Sequence, residues 1–241
     1  MEAVRRLAAL LVLALPSAAF AAVTDEASRG RSAGEVAVER LARKGVAVYC
    51  ADRSSRLVAL TFDDGPGVYS RAIAAELRRA RARGTFFLVG QRLAWWRGAL
   101  RAEASVGAVG DHTWSHVSLA ALGRAGLRAE VGRTRAAEIA RTGRRIALFR
   151  PPYGIRTAAG DAYVHKLGML QVLWDVEDSR SGIRGGSIVL LHETRPRALP
   201  LLRSILRDLA RRGLRAVTVP ELLAHAPPPL TRDARGLRSG C

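Results

Sequence analysis

Short apolar runs that alternate with amphipathic segments are the feature that most constrains the fold of this chain. Runs such as "RLVALTF", "GTFFLVG" and "SIVLLH" are almost uninterrupted by polar residues, and most are separated by segments with helical spacing of apolar residues. Strands of this kind are buried on both faces, which is typical of a parallel sheet covered by helices. The pattern therefore predicts an α/β fold, namely a distorted (β/α) barrel of seven or eight parallel strands.

One connection in this pattern is unusually short. Only residues 179–186 separate the strand of "MLQVLW" and its flanking residues from the strand "SIVLLH". Eight residues are too few for a helical crossover between neighbouring parallel strands. The barrel is therefore expected to be one crossover helix short.

Both ends of the chain are predicted to lie outside the α/β domain. Arg5 and Arg6 precede nine apolar residues and then the small residues Ala19 and Ala21, a pattern typical of a secretory signal peptide. No later segment is apolar and long enough to cross a membrane, so we expect a secreted or cell-envelope protein after signal cleavage. The predicted division is a signal peptide (1–21), a linker and N-terminal helix (22–55), the α/β domain (56–226) and a disordered tail (227–241).

The charge of the chain indicates what it could be attracted to. The formal net charge is +18, from 39 Lys and Arg against 21 Asp and Glu. Such an excess favours polyanions as partners. Aromatic residues make up only 5% of the sequence, which leaves little material for stacking bases, so no nucleic acid is expected. With the predicted signal peptide, an acidic cell-wall surface is the expected partner.

The sequence has two cysteines, Cys50 and Cys241, which could pair outside the cytoplasm. Neither has the surroundings of a nucleophile or a metal ligand. The sequence leaves the pairing open, and it does not set the oligomeric state.

Polar residues with chemical potential follow several of the predicted strands. They are Asp63 and Asp64 in "TFDDGP", His112 and His116 in "GDHTWSH", Arg150 and Tyr153 in "RPPYG", and His192 in "IVLLH". In parallel α/β folds the chemistry lies at the carboxyl ends of the strands. The sequence therefore predicts that these side chains meet at one end of the sheet.

A divalent metal explains why a buried strand would end in two adjacent carboxylates. His112 and His116 are expected to lie one helical turn apart and to face one ion, and Asp64 can supply an oxygen ligand. Two histidines and one carboxylate leave coordination positions open, as a catalytic site requires. Zinc is the first choice for such a donor set, and cobalt, nickel and manganese are chemically admissible. Asp63 is then expected to have a lowered pKa beside the cation and to act as a base.

These four motifs, in this order and spacing, resemble those of the polysaccharide deacetylases of the NodB-homology type (carbohydrate esterase family four). The resemblance extends from about Arg56 to His225, so residues 56–226 are expected to form such a domain. It implies hydrolysis of N-acetyl groups on amino-sugar polymers, with one divalent metal as cofactor.

The resemblance also implies a role for each motif residue. Asp63 would be the catalytic base, held in place by Arg150, and His192 would be the general acid. The backbone N–H of Tyr153 would stabilise the oxyanion. Asp64, His112 and His116 would bind the metal, and Leu190 would line the pocket for the acetyl methyl group.

The sequence departs from the family in one block, which usually carries a carboxylate that tunes the acid histidine and a tryptophan that walls the acetyl pocket. Here the corresponding stretch is "LWDVEDSRSGIRGGS". Glu177 or Asp178 could be the partner of His192, and Trp114 or Trp174 could take the place of the missing tryptophan. The sequence does not decide either choice.

Three functions are compatible with this reading. The first is a secreted, metal-dependent N-deacetylase of an acetylated glycan, with peptidoglycan ahead of chitooligosaccharides. The second is an esterase on an O-acetylated polysaccharide, since the same site would hydrolyse such groups. The third is a non-catalytic wall-binding protein that keeps the metal site, which the short connection and the missing tryptophan motivate.

Overall fold

The computed structural model describes residues 31–233 and 236–240. The predicted signal peptide, residues 1–21, lies outside the described residues. The folded unit begins at Ala33. No helix among the described residues is both long enough and apolar enough to span a membrane.

Helices and strands alternate along most of the chain. The helices are α1 (Ala33–Arg43), α2 (Ser70–Arg79), α3 (Arg97–Val106), α4 (Arg124–Leu127), α5 (Arg133–Thr142), α6 (Ala158–Lys166), α7 (Ala198–Arg211) and α8 (Val219–His225). The strands are β1 (Ala47–Val48), β2 (Leu57–Gly65), β3 (Gly84–Leu88), β4 (Gly107–Asp111), β5 (Leu148–Phe149), β6 (Leu170–Val172), β7 (Val176–Glu177), β8 (Ile188–His192), β9 (Arg215–Val217), β10 (Leu230–Asp233) and β11 (Gly236–Ser239). Short 3₁₀ turns occur at Gly90–Leu93, Leu119–Ala121 and Pro152–Gly154, and a π-helical segment at Arg128–Gly132.

The strands form one sheet in the order β10-β11-β1-β6-β5-β4-β3-β2-β8-β7, and β9 pairs with the beginning of β2. All pairs are parallel except β10 with β11. The predicted α/β class with a parallel sheet is therefore confirmed. Among the described strands no pairing joins β7, at one end of this order, to β10, at the other, so strand pairing does not close the sheet into a barrel.

Alternate residues of the long strand β2 pack into two different apolar cores. Leu60 and Phe62 face the outer core, where α2 and α7 cover the sheet. Ala59 faces the inner core together with Phe87 of β3, and α1 and α8 pack against that side. Since side chains alternate along a strand, Thr61 and Asp63 lie on the same face as Ala59. The inner face is therefore the one that carries polar groups toward the carboxyl ends of the strands.

The connection between β7 and β8 contains no helix, as predicted. Residues 178–187 instead run in an irregular path, with Ile183 buried in the outer core. Arg212, just beyond α7, donates a hydrogen bond to the carbonyl of Ile183 at 2.8 Å. Ten residues can extend over about 33 Å, which exceeds the length of β8, so the chain can return without a helix. The segment thus occupies the place of the missing crossover helix.

The C-terminal segment differs from the prediction of a disordered tail. β10 and β11 form an antiparallel hairpin, and β11 pairs with β1. The buried hydroxyl of Ser239 accepts hydrogen bonds from the backbone N–H groups of Tyr49 and Cys50. These contacts bind a segment whose composition predicted no order. Cys50 is buried and disulfide-bonded, and the other cysteine of the sequence, Cys241, lies outside the described residues.

Candidate active site

The site begins where β2 ends on Asp63 and Asp64. The pairing of β2 with β3 shifts register between Asp63 and Gly65, and Asp64 has a φ of 71°. Such a bulge turns consecutive side chains away from strict alternation. Asp63 can therefore lie buried on the inner face while Asp64, whose side chain is 23% exposed, lies at the rim.

Arg150, which follows β5, crosses the inner face and binds Asp63. Its Nη1 donates to Asp63 Oδ1 at 2.7 Å and to the hydroxyl of Thr61 at 2.8 Å. Nε and Nη2 donate to the carbonyls of Val172 and Leu173, both at 2.9 Å. The guanidinium is fully buried and lies 4.2 Å from the centre of the Phe87 ring. Arg150 thus ties β2, β5 and the end of β6 together through one charged group.

Burial determines the protonation behaviour of Asp63. Desolvation raises the pKa of its carboxyl above the ordinary value, and the charge and hydrogen bond of Arg150 oppose this shift. The expectation of a lowered pKa concerns the carboxylate beside a bound cation, so it stays a prediction. An added cation would act in the same direction as Arg150.

Asp64, His112 and His116 come together at the rim. One ligand atom from each lies within 4.8 Å of the others, and Asp64 Oδ1 is 3.2 Å from His116 Nε2 and 3.8 Å from His112 Nε2. Asp64 Oδ1 is buried and has no hydrogen-bond partner. Ligands about 2.1 Å from a tetrahedral ion lie about 3.4 Å apart, so these spacings fit a metal. The three residues thus form a candidate metal-binding group.

The two histidines do not lie on a helix, contrary to the prediction. Residues 112–116 form an irregular loop in which Thr113 and His116 have positive φ values of 67° and 59°. The Thr113 N–H donates to Asp111 Oδ1 at 2.8 Å, and Glu130 accepts from the N–H groups of Trp114 and Ser115. Hydrogen bonds to the carboxylates of Asp111 and Glu130, rather than helical geometry, hold the loop that brings the two imidazoles together.

His112 is prepared to act as a neutral ligand. Its Nδ1 lies 2.7 Å from the carbonyl oxygen of Arg150, which can only accept, so Nδ1 carries the hydrogen and Nε2 has the free lone pair. Burial, together with the nearby His116, lowers the pKa of His112 to about 3. A hydrogen bond from the ring nitrogen that does not bind the metal is the usual way to orient a metal-binding histidine.

His192 lies directly beside Asp63, because the two residues are partners in the parallel pairing of β2 with β8. Its Nδ1 is 2.9 Å from Asp178 Oδ2, and its backbone N–H donates to Asp178 Oδ1. Of the two candidate partners, Asp178 is therefore the one in contact, while Glu177 accepts a hydrogen bond from Trp174 Nε1 at 3.2 Å. Burial acts to raise the pKa of the Asp178 carboxyl, but the hydrogen bonds from His192 outweigh it, and the pKa lies below its ordinary value.

The candidate pocket residues divide into two groups. Leu190 is buried in β8 opposite Thr61 and faces the inner side. Trp174 packs on Gly154 next to Tyr153, and its ring is 5.4 Å from the Arg150 guanidinium. Trp114 instead stacks under Arg133, 3.6 Å from ring centre to guanidinium carbon. Of the two tryptophans considered, Trp174 is thus the one in contact with the site.

Tyr153 borders the metal-binding group. Its ring centre is 4.8 Å from that of His116, and its backbone has a φ of 60° within the turn after β5. The side chain is 65% exposed. The residue therefore presents its aromatic ring at the mouth of the site.

Sequence reasoning missed two exposed tryptophans in the loop after β3. Trp95 is 84% exposed and Trp96 is 39% exposed. The same loop is bonded to the metal loop, since Gly90 and Gln91 donate to the carbonyls of Thr113 and Trp114. Adjacent tryptophans in a loop after a strand of the parallel sheet were the available signal.

Two buried glutamates lie behind the strand end. Glu193 follows His192 and fills the space where a side chain on Gly65 would lie, so that position requires glycine. Burial raises the pKa of Glu193 well above its ordinary value, and the nearby Glu103 raises it further. Burial also raises the pKa of Glu103 to about 7. The resemblance assigned no role to this pair.

The side chains described above lie together on one rim of a parallel sheet, at the carboxyl ends of its strands. This arrangement defines the class of protein: an α/β enzyme with a polar site at that end of the sheet. Comparison with known proteins gives the particular family. The family model for polysaccharide deacetylases matches residues 51–172, about half of the chain, and the chain belongs to this family. The resemblance noted from the four motifs is thereby confirmed.

Three known proteins illustrate the similarity. The peptidoglycan-N-acetylglucosamine deacetylase PgdA of Listeria monocytogenes is 28% identical over 186 residues, which cover 70% of this chain and 39% of that protein. The chitin deacetylase of Pestalotiopsis sp is 28% identical over 190 residues, or 70% of this chain and 64% of that protein. A solved family 4 carbohydrate esterase from Bacillus anthracis gives a TM-score of 0.69 at 26% identity, covering 76% of this chain and 90% of that one. The chain thus spans about two fifths of the Listeria protein's length.

Proposed function

We propose that this protein is a secreted, metal-dependent deacetylase that removes N-acetyl groups from amino-sugar polymers, with peptidoglycan as the first candidate substrate. The observation that carries the proposal is the placement of Asp63 between Arg150 and His192, beside the group of Asp64, His112 and His116. Amide hydrolysis needs a base for water, a donor for the oxyanion and an acid for the amine, and each has a candidate here.

In the proposed reaction Asp63 takes a proton from the attacking water. Its position is set by Arg150, whose other donors are engaged by Thr61 and two backbone carbonyls, so the carboxylate has little freedom to rotate. The backbone N–H of Tyr153 donates to the oxyanion as the tetrahedral intermediate forms. Attack and charge development would thus be served by groups at the same end of the sheet.

His192 then protonates the departing amine. Asp178 holds Nδ1, which leaves Nε2 as the proton-carrying atom that faces the substrate. A carboxylate in this position fixes the tautomer and stabilises the imidazolium, as in other acid–base histidines. Leu190 and Trp174 are proposed to enclose the acetyl methyl group.

Asp64, His112 and His116 are proposed to hold one divalent ion, with zinc first and cobalt, nickel or manganese as alternatives. When bound, the ion would supply Lewis acidity to the amide carbonyl and the attacking water. The fit rests on the spacing of the three ligand atoms and on the unpartnered, buried Asp64 Oδ1.

The substrate proposal is supported by the relatives and by the charge of the chain. The compared relatives are named as deacetylases of peptidoglycan and of chitin, both acetylated glycans. A net charge of +18 favours an anionic wall as the surface where the enzyme works. The exposed Trp95 and Trp96 offer a flat apolar surface to a sugar chain that extends from the site.

The test is acetate release from purified peptidoglycan and from chitooligosaccharides by zinc-loaded protein, with Asp63→Asn as the matched control. We expect release from one of these glycans and its loss in the variant. Retention of metal by Asp63→Asn is also expected, because Asp63 is not in the ligand group. Acetate release from neither glycan by protein that holds metal would refute the proposed activity.

A further inference from the structure

A cleft lined by arginines lies at the opposite end of the sheet from the active site. It has a volume of about 570 Å³ and is formed by the C-terminal parts of α2 and α7 and by residues at the amino ends of β3 and β9. Five arginines line it: Arg79, Arg81, Arg203, Arg207 and Arg215. We refer to these five residues and the space between them as the arginine cleft.

The only acidic residue that lines this cleft is Glu76. Its carboxylate, which is 8% exposed, is bound by Arg79 through Oε1 and by Arg203 through Oε2, the latter at 2.9 Å. Glu76 therefore neutralises part of the charge and fixes two of the guanidinium groups. In the described part of the chain no carboxylate pairs with Arg81, Arg207 or Arg215, and all three are exposed. Glu76 thus leaves the positive charge of the cleft only partly neutralised.

The backbone of Arg81 gives an independent indication that its side chain matters. Within residues 31–233, four helices end with the same pair of backbone hydrogen bonds, from the two residues after the helix back to its last turn. In three of them the residue with positive φ is glycine: Gly45, Gly168 and Gly213. After α2 that position is Arg81, with a φ of 51°, and the closing bond from Ala82 N to Leu77 O is present. Glycine is the usual residue there, because a side chain is strained in the left-handed region.

Helix polarity alone does not explain the arginines. The carboxyl ends of helices attract cations, and this accounts for one basic residue near each end. It does not explain why an arginine occupies the strained, positive-φ position 81, since Arg78 and Arg79 already supply positive charge to the last turn of α2. An oxyanion that binds several guanidinium groups at once would explain both the convergence and the strain.

We propose that the arginine cleft binds phosphate groups of an anionic polymer and so anchors the protein while the opposite rim remains free to act. Guanidinium groups bind phosphate oxygens in pairs, and three unpaired guanidiniums match a group with several acceptor oxygens. The lining contains no aromatic side chain, so bases would find nothing to stack on, which favours a phosphate polymer without bases over nucleic acid.

The experiment compares two variants that lose the same charge. The cleft variant carries Arg81→Gly, Arg207→Gln and Arg215→Gln. The control variant carries Arg101→Gln, Arg124→Gln and Arg128→Gln, which are exposed arginines elsewhere on the surface. Binding of full-length protein to linear polyphosphate, polyglutamate and a single-stranded oligonucleotide of equal charge is measured at several salt concentrations.

The expected result is that the cleft variant binds polyphosphate at least about tenfold more weakly than wild type, with a shallower salt dependence, while the control variant changes less than about twofold. Equal weakening in both variants would show that binding follows net charge and would overturn the proposal. Tighter cleft-dependent binding of polyglutamate or the oligonucleotide than of polyphosphate would overturn the choice of ligand.

Arg81→Gly alone separates ligand binding from folding. Removing strain at a positive φ is expected to raise Tm by about 2–4 °C in a chain of this size. A more stable protein that nevertheless binds polyphosphate several-fold more weakly supports the proposal, and unchanged binding contradicts it. Cleavage of a small soluble acetate ester should be the same in all these variants, so that failure here is distinct from failure of the proposed activity.

Discussion

Replacement of Arg150 by methionine tests whether one buried ion pair stabilises both the fold and the site. The substitution keeps an apolar stem of similar length but removes the donors to Asp63, Thr61 and the carbonyls of Val172 and Leu173. Asp63 is only 2% exposed, so its carboxylate would remain buried without its cation.

The expected cost follows from that uncompensated charge. Removing one partner of a buried pair typically destabilises a protein by about 3–5 kcal/mol. With an m-value of about 2–3 kcal/mol/M in urea, the unfolding midpoint of Arg150→Met should fall by roughly 1–2 M. Arg101→Met, on an exposed surface, serves as the control and should change the free energy of unfolding by less than about 0.5 kcal/mol.

A double-mutant cycle with Asp63→Asn identifies the cause. If the buried charge is responsible, Arg150→Met costs at least about 2 kcal/mol less when Asp63 is already asparagine. The loss of unfolding free energy in Arg150→Met should also shrink as pH falls toward about 4. At that pH the buried carboxyl of Asp63 is protonated in the native variant, and the same carboxyl in the unfolded chain is becoming protonated as well, so folding no longer buries a charge. Additive costs and a deficit independent of pH would refute the reasoning.

Three further predictions concern the acid, the glutamate pair and the exposed tryptophan. His192→Ala should lower kcat on an N-acetylated sugar by at least about 10²-fold but affect an activated aryl acetate far less, because that leaving group needs no proton; equal losses in steady-state assays would argue against a general acid. Burial raises the pKa of Glu103 to about 7, so its contribution to stability is full below pH 4.5 and is lost as pH rises to about 7, by up to about 3 kcal/mol. Urea titrations of Glu103→Gln at several pH values should show a smaller fall than wild type, the remainder coming from Glu193, and an unchanged fall would contradict the assignment. Because sugars are proposed to stack on Trp95, Trp95→Ala should raise KM for a glycan polymer roughly two- to tenfold while changing kcat little. Hydrolysis of an aryl acetate should be nearly unchanged, and an unchanged KM for the polymer would show that Trp95 is not part of the binding surface.

The sequence could predict the inner face of the site because its motifs sit directly at strand ends. Once β2, β5 and β8 run parallel in one sheet, Asp63, Arg150 and His192 lie at the same end of that sheet, whatever the details of the loops. The register of β2 with β8 then makes Asp63 and His192 lateral partners. This part of the site is a consequence of topology, which the apolar pattern specifies.

The loops at the rim were not predictable in the same way. The separation of His112 from His116 suggested a helical turn, but Thr113 and His116 have positive φ values instead, and the loop donates backbone hydrogen bonds to the carboxylates of Asp111 and Glu130. The choice of Asp178 over Glu177 likewise depends on a positive φ of 41° at Asp178. Such conformations are set by tertiary contacts, for which local sequence gives no signal.

The C-terminal hairpin shows a different limit of sequence reasoning. β10 is exposed along its whole length, and its composition resembles that of a disordered segment. Its order comes from the pairing of β11 with β1 and from the buried Ser239 hydroxyl, which are contacts with residues about 190 positions away. Stability gained through such distant partners cannot be read from composition.

The short connection between β7 and β8 was the main reason to consider a non-catalytic protein, and its structure removes that reason. Because the chain turns at Asp178 instead of entering a helix, the Asp178 N–H donates to the carbonyl of Leu190 and its carboxylate reaches both the backbone and the ring of His192. The carboxylate that the family supplies from its own block is therefore supplied here by the turn itself. Trp174, held by Glu177 and packed on Gly154, adds the aromatic surface that the altered block lacked. The shortened crossover thus keeps a carboxylate in contact with His192 and an aromatic side chain beside Gly154, and these contacts favour the proposed hydrolytic function over glycan binding alone.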